Sequence, residues 1–166
     1  MSAPAPETLA WVNDFVGVPY LVNGRDRDGW DCWGVVLAVF REQRGVTLPD
    51  WRRGAPYDLA AQARAFGGAW AEAQAAELAV RVEHPEHWSI ALVARHRLPH
   101  HVGVVLGAGV LHCAEKSAGT VYEPLSRFDR NYPGATWWRW TACEARDTPP
   151  DNPVAILSAY EGRAGG

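Results

Sequence analysis

Cysteine is scarce in this 166-residue chain: Cys32, Cys113 and Cys143 are the three, and no two stand at a paired spacing. An odd, unpaired set argues against a disulfide framework and fits a reducing compartment. Metal motifs are missing as well. There is no His-Glu-x-x-His or Cys-x-x-Cys, and His84-Pro85-Glu86-His87 lacks the i, i+4 spacing that puts two imidazoles on one helix face. His84, His87, His96 and His100 therefore read as surface residues, and neither a metal nor another cofactor is expected. No run approaches the roughly 20 apolar residues of a membrane span. The segment from Met1 to Glu7 has neither the basic stretch nor the apolar core of a signal peptide, so cytoplasmic synthesis without a Sec-type signal is expected. With no basic run, neither nucleic acid nor a membrane is an expected partner.

What is present is an ordinary globular composition: 48% hydrophobic, 21% charged, and a formal net charge of -3. The length fits one domain with a proper core, and no repeat or linker divides it. A single domain over 1–166 is expected, with its core at about 7–143 and a proline-rich arm over 144–166. An amphipathic helix is predicted from Glu7 to Phe15, with Leu9, Val12 and Phe15 on one side. A second should follow Asp31 and run to Arg44, with Gly45 as its C-cap. The alanine-rich stretch from Tyr57 to Leu78 reads as one helix or as two broken at Gly67-Gly68. Short strands are predicted at 90–93, 102–106, 110–114, 120–122 and 136–142. Helices first and strands afterwards indicate an α+β fold.

Nine tryptophans are unusual for this length, and Trp30 and Trp33 bracket Cys32. Such rings serve packing, or hold a sugar or peptide beside a nucleophile. A thiol attacks a carbonyl as the thiolate, and a free cysteine has a pKa near 8.5. Asp31 can cap the helix and place Cys32 in its first turn, where unpaired N–H groups and the dipole favour negative charge. A nearby imidazolium would add to this, and the Cys32 N–H can help hold an oxyanion. The bland alternative is an inert core cysteine, the reading given to Cys113 and Cys143.

Two histidines can be tested geometrically. If Gly107-Ala108 forms a type II′ turn, Leu106 faces Gly109 and His112 falls opposite Gly103. His101 is then on the same face as His112 and diagonal to it, within reach of long side chains, with Gly103 leaving the space between them empty. His112 would orient His101 as the third residue does in other triads. His100 is a rival base, but neighbouring strand residues point to opposite faces, so both cannot serve. In the preceding loop, Asp26 and Asp28 are candidates for a substrate ammonium and Arg25 and Arg27 for its carboxylates, with solvated loop charge as the alternative.

These residues resemble the NlpC-type family of papain-like cell-wall peptidases. The matching pieces are Gly17-Val18-Pro19-Tyr20, Gly29-Trp30-Asp31-Cys32-Trp33-Gly34, His101-Val102-Gly103-Val104-Val105-Leu106-Gly107 and Leu111-His112, in the family's order. The resemblance implies a papain-like domain with its cysteine-bearing helix packed on a C-terminal antiparallel sheet. It implies Cys32 as nucleophile, His101 as base and His112 as orienting residue, with Tyr20, Asp31 and Trp33 on the substrate side. It also implies cleavage of amide bonds in peptidoglycan stem peptides, commonly between D-glutamyl and a diamino acid, through an acyl-enzyme and without metal. His87-Trp88-Ser89-Ile90 departs from the Gly-Asp that the family usually carries before this strand.

The tryptophan after the cysteine and the Asn23-Gly24-Arg25-Asp26 approach look most like versions from phages and gene transfer agents. That likeness implies tail-tip or hub proteins as partners and a particle tail as the location, acting at the periplasmic wall. Two other readings stay open: a tail-structural module with the fold and little activity, and an amidase or acyltransferase on a non-wall substrate.

Overall fold

The computed structural model describes residues 6–51, 59–117 and 119–141. The chain opens with a 3-10 helix, Pro6–Asp14, where the sequence predicts an amphipathic helix. Val12 and Phe15 are buried, and Leu9 packs against the core from its edge. A two-stranded ribbon, β1 (Arg25–Asp26) and β2 (Gly29–Trp30), then leads into helix α1, Cys32–Arg44. This helix has the predicted bounds because both of its ends are capped. Asp31 keeps an extended backbone while its carboxylate accepts the Gly34 N–H at 2.8 Å. At the other end Gly45 is left-handed, and its N–H and that of Val46 bond to the carbonyls of Arg41 and Phe40.

Helix α2 spans Leu59–Ala75 without a break. The two-helix alternative is therefore set aside, and packing explains the glycine pair. A Cβ at Gly67 would lie 3.0 Å from Pro99 Cδ, so the glycine lets the helix approach the sheet closely. Phe66 and Trp70 anchor the helix on either side of the pair, outweighing the roughly 1 kcal/mol that each glycine costs relative to alanine.

The remaining strands are β3 (Ala79–Val82), β4 (Ile90–Arg95), β5 (Leu98–Leu106), β6 (Gly109–Ala114), β7 (Gly119–Pro124) and β8 (Thr136–Trp140), with a short helix α3 (Leu125–Asn131) between the last two. They form one antiparallel sheet in the order β3-β8-β4-β5-β6-β7. β3, the β1–β2 ribbon and α3 have no counterpart in the sequence prediction. The arm over 144–166 lies outside the described residues.

Both faces of the sheet are covered. On one, Ile90, Leu92, Val104, Leu106 and Leu111 pack against Val35, Val36, Val39 and Phe40 of α1 and against Phe66 and Trp70 of α2. Each such side chain contributes about 1.5–3 kcal/mol when fully buried. On the other, Ala91, Val93, Val105 and Val110 meet Phe128 of α3, with Leu125, Tyr132 and Trp137 around them. The α+β, papain-like arrangement is thus present, with α3 as an added cover on the second face. Among the described residues no helix is long and apolar enough to cross a membrane.

Candidate active site

Cys32 is the first residue of α1 and is 4% exposed. The cap beneath it is a knot of polar bonds. Asp31, 1% exposed, accepts from Gly34 N, from Asn23 N at 3.1 Å and from Arg25 Nη1 at 3.0 Å. Arg25 also donates to the Gly24 carbonyl and to Asp50. Trp33, 0% exposed, donates to the Pro49 carbonyl and stacks on Trp51 with ring centroids 4.9 Å apart. Asp31 and Trp33, expected on the substrate side, are both buried, and through these bonds they fix the start of the helix. Trp30 is buried likewise, its indole N–H on Thr120 Oγ1 at 2.6 Å. Tyr20 is half-buried at the edge of this core, joined to Trp30 by a backbone bridge.

The loop charges are engaged as well. Arg27 bonds Glu42 and the Asp14 carbonyl and lies over the Phe15 ring, 4.4 Å from its centroid. Asp26 accepts the Asp28 N–H. These contacts favour structural roles for the loop.

The histidines come from the β5–β6 hairpin. Gly107 has φ 60°, as its turn requires, and the register is Leu106 opposite Gly109 and Gly103 opposite His112. His101 Nε2 lies 2.9 Å from His112 Nδ1. His100 is exposed and takes no part. A Cβ at Gly103 would lie 3.0 Å from His112 Cβ and 2.7 Å from Val110 Cγ1, so the gap that admits the pair depends on that glycine.

Three further residues enclose the pair, none of them foreseen from the sequence. Glu123 on β7, 8% exposed, has Oε1 2.8 Å from His112 Nε2. Tyr132, just after α3, stacks on His101 with centroids 4.6 Å apart and planes 18° apart. Phe128 meets the His112 ring edge-on at 5.2 Å. Burial under these rings lowers the pKa of His112, and its hydrogen bond with Glu123 and that group's charge offset only part of the effect. Burial raises the Tyr132 hydroxyl, and the charges of Glu123 and Cys32 push it further. Tyr132 therefore stands within electrostatic reach of the thiol while stacked on His101. Cys113, on the helix side of the sheet, donates to the Trp30 carbonyl and is pushed up to about 11, chiefly by burial.

Residues 17–139 match the model of the NlpC/P60 family. The chain belongs to that family. The matched span covers every element from Gly17 to within one residue of the end of β8, including Cys32 and both histidines. Among solved structures, this NlpC/P60 domain is similar to the crystal structure of the NlpC/p60 domain of peptidoglycan hydrolase SagA, with a TM-score of 0.51 and 17% identity over 78% of this chain and 92% of the other. At that identity the likeness speaks for the fold. No curated protein matches the sequence.

The other histidines stay apart from the pair: His87 Nδ1 accepts the Gly107 N–H at 2.9 Å, while His84 and His96 are exposed. Among the described residues no group of three or more His, Cys, Asp or Glu is arranged to hold a metal ion.

Proposed function

We propose that this NlpC/P60 domain is a cysteine amidase or endopeptidase that cleaves amide bonds in peptidoglycan stem peptides. The observation that carries the proposal is the pairing of a capped helix-start cysteine with a buried, hydrogen-bonded histidine pair in the same family-matched span. His101 uses its Nε2 on His112, which leaves Nδ1 as the nitrogen for base chemistry. In the proposed reaction His101 takes the Cys32 proton and the thiolate attacks the scissile carbonyl. The oxyanion that forms is favoured by the N–H groups and dipole at the start of α1. Collapse expels the amine, which receives the proton from His101 and leaves a thioester on Cys32. Water, deprotonated by His101, then attacks the thioester, releasing the new carboxylate and restoring the thiol. Tyr20, at the rim of the core, is the proposed substrate-side tyrosine.

The fit to stem peptides is supported by family membership and by the fold shared with the NlpC/p60 domain of the peptidoglycan hydrolase SagA. Cys32→Ala should abolish release of muropeptides from purified peptidoglycan while circular dichroism shows an intact fold. Mass spectrometry of the wild-type digest would identify the bond cut. Retained cleavage by Cys32→Ala would remove the assignment.

The sequence likeness around Trp33 and Asn23-Gly24-Arg25-Asp26 extends the proposal to wall opening by a phage or gene-transfer-particle tail, with tail-tip proteins as partners. Detection of the chain in purified particles by mass spectrometry is the measurement for that extension, and its absence from them would end it.

A further inference from the structure

Glu123 stands one step beyond the histidine pair, and its chemistry is one-sided. A carboxylate carries only acceptors, so the 2.8 Å contact with His112 reads in one direction: Nε2–H donates to Oε1. With its proton on Nε2, a neutral His112 presents a bare lone pair at Nδ1. That lone pair faces His101 Nε2 at 2.9 Å and can only accept. His101 must then carry its own proton on Nε2, which leaves its Nδ1 unprotonated. We propose that Glu123 is a positioning residue that sets, through His112, which nitrogen of His101 is basic.

Without the carboxylate the His–His hydrogen bond can run the other way. His112 then donates from Nδ1, His101 accepts at Nε2, and its proton moves to Nδ1, where it blocks uptake of the thiol proton. In the native arrangement that alternative would aim the bare His112 Nε2 lone pair at the Glu123 oxygen, two acceptors in contact. Glu123 Oε2 is approached by Asn131 Nδ2 and Arg127 Nε, each at 3.4 Å, from α3. His112 is bounded by Phe128 and by Tyr132, which also stacks on His101, and Cys32 acts on Tyr132 through its charge. Burial holds His112 toward its neutral form in spite of Glu123, as the relay needs, because a doubly protonated His112 has no lone pair for His101. The carboxylate thus selects a tautomer and does not serve to charge its neighbour.

The role of His101 as base rests on the function proposed above, but the tautomer assignment does not, and the test separates the two. Cys32→Ala removes the thiolate that would hold His101 as an imidazolium and leaves a neutral pair at about pH 8. Long-range proton–nitrogen correlations in protein labelled with 15N-histidine then report each ring's tautomer. Nε2–H on both His112 and His101 is the expected result. Adding Glu123→Ala to that background should populate Nδ1–H on His101. In the active enzyme, Glu123→Ala should lower kcat by roughly 10–100-fold while KM stays within about twofold. Finding His101 protonated at Nδ1 with Glu123 in place would overturn the proposal, as would tautomers that ignore Glu123→Ala. If the Glu123 variant does not fold, the measurement on Cys32→Ala alone decides. Expected tautomers in a protein that cleaves no peptidoglycan would uphold the relay and remove the functional reading.

Discussion

His101 Nε2 and His112 Nδ1 lie 2.9 Å apart because Gly103, between them on the ladder, has no side chain. A methyl group there would meet Val110 Cγ1 at 2.7 Å and His112 Cβ at 3.0 Å, positions that cannot swing away as the end of a long side chain can. Gly103→Ala should therefore displace the His112 strand. We expect a loss of about 1–3 kcal/mol in stability from overpacking and a fall in kcat larger than the thermal shift alone would produce. Thermal unfolding together with steady-state kinetics checks both, and an unchanged kcat would detach the pair from catalysis.

The same pair depends on its cover. Tyr132 stacks on His101 through its ring, so Tyr132→Phe should retain the contact and most of the activity. Tyr132→Ala opens the face of His101 to water and removes an aromatic contact worth about 0.5–1.5 kcal/mol beyond its buried area. A drop in kcat for the alanine variant that phenylalanine restores would assign the effect to stacking. An equal loss in both would assign it to the hydroxyl near Cys32 instead.

The helix start is the third point of support. Asp31 is buried and holds two backbone N–H groups as well as Arg25. Asp31→Ala removes the cap and leaves Arg25 with Asp50 as its remaining carboxylate partner. A loss of about 3 kcal/mol is expected from the combined cap and buried ion pair. Asp31→Asn keeps an oxygen for Gly34 and should cost less. Denaturant unfolding of the two variants measures the difference; equal losses would show that the ion pair, not the cap, carries the effect.

Much of this geometry was legible in the sequence, for physical reasons that can be named. Asp31 and Gly45 bracket α1 because caps act locally, within one turn of the residues that form them. The β5–β6 register was readable because a two-residue turn with glycine first leaves few alternatives, and one register determines which side chains meet. Glu123 obeys the same diagonal rule one hairpin further on, since Val121 faces His112 and Glu123 faces Val110. It was not legible because the connection from β6, ending at Ala114, to β7, starting at Gly119, is longer than a two-residue turn and leaves the register open. Tyr132 and Phe128 depend on α3, seven residues long and too short for a periodic signal. The buried, helix-fixing contacts of Trp33 and Asp31 were not legible either, because nearness in sequence to a nucleophile does not reveal which way a side chain points.

Acid should weaken the fold through His112. Its pKa in the folded protein is lowered by burial from the usual value near 6.5, and that of His87 is lowered by burial and by the charge of Arg44. The unfolded chain therefore takes up protons first as the pH falls below about 6.5, and stability declines through that range. Above it both states are neutral at these groups and they contribute no pH dependence. The melting temperature should fall between about pH 7 and pH 5, and less steeply in His112→Gln. An identical slope in that variant would shift the effect to other groups.

The two described cysteines should differ sharply in reactivity. Cys113 is fully buried, donates to the Trp30 carbonyl at 3.3 Å, and is held up to about 11 by burial, with the charges of Cys32 and Asp31 adding to the shift. At neutral pH Cys113 is therefore held as the thiol, and the thiolate is the form that reacts. Cys32 sits instead at a capped helix start, where N–H groups and dipole favour negative charge. In a Cys143→Ser background, iodoacetamide at about pH 6 should therefore modify Cys32 and leave Cys113 untouched. Cys32→Ala should remove nearly all labelling under the same conditions. Peptide mapping by mass spectrometry distinguishes the two sites, and comparable labelling of Cys113 would contradict the environment assigned to it. A Cys32 that reacts only as the pH approaches that of an ordinary thiol would withdraw the charge stabilisation on which the proposed chemistry depends.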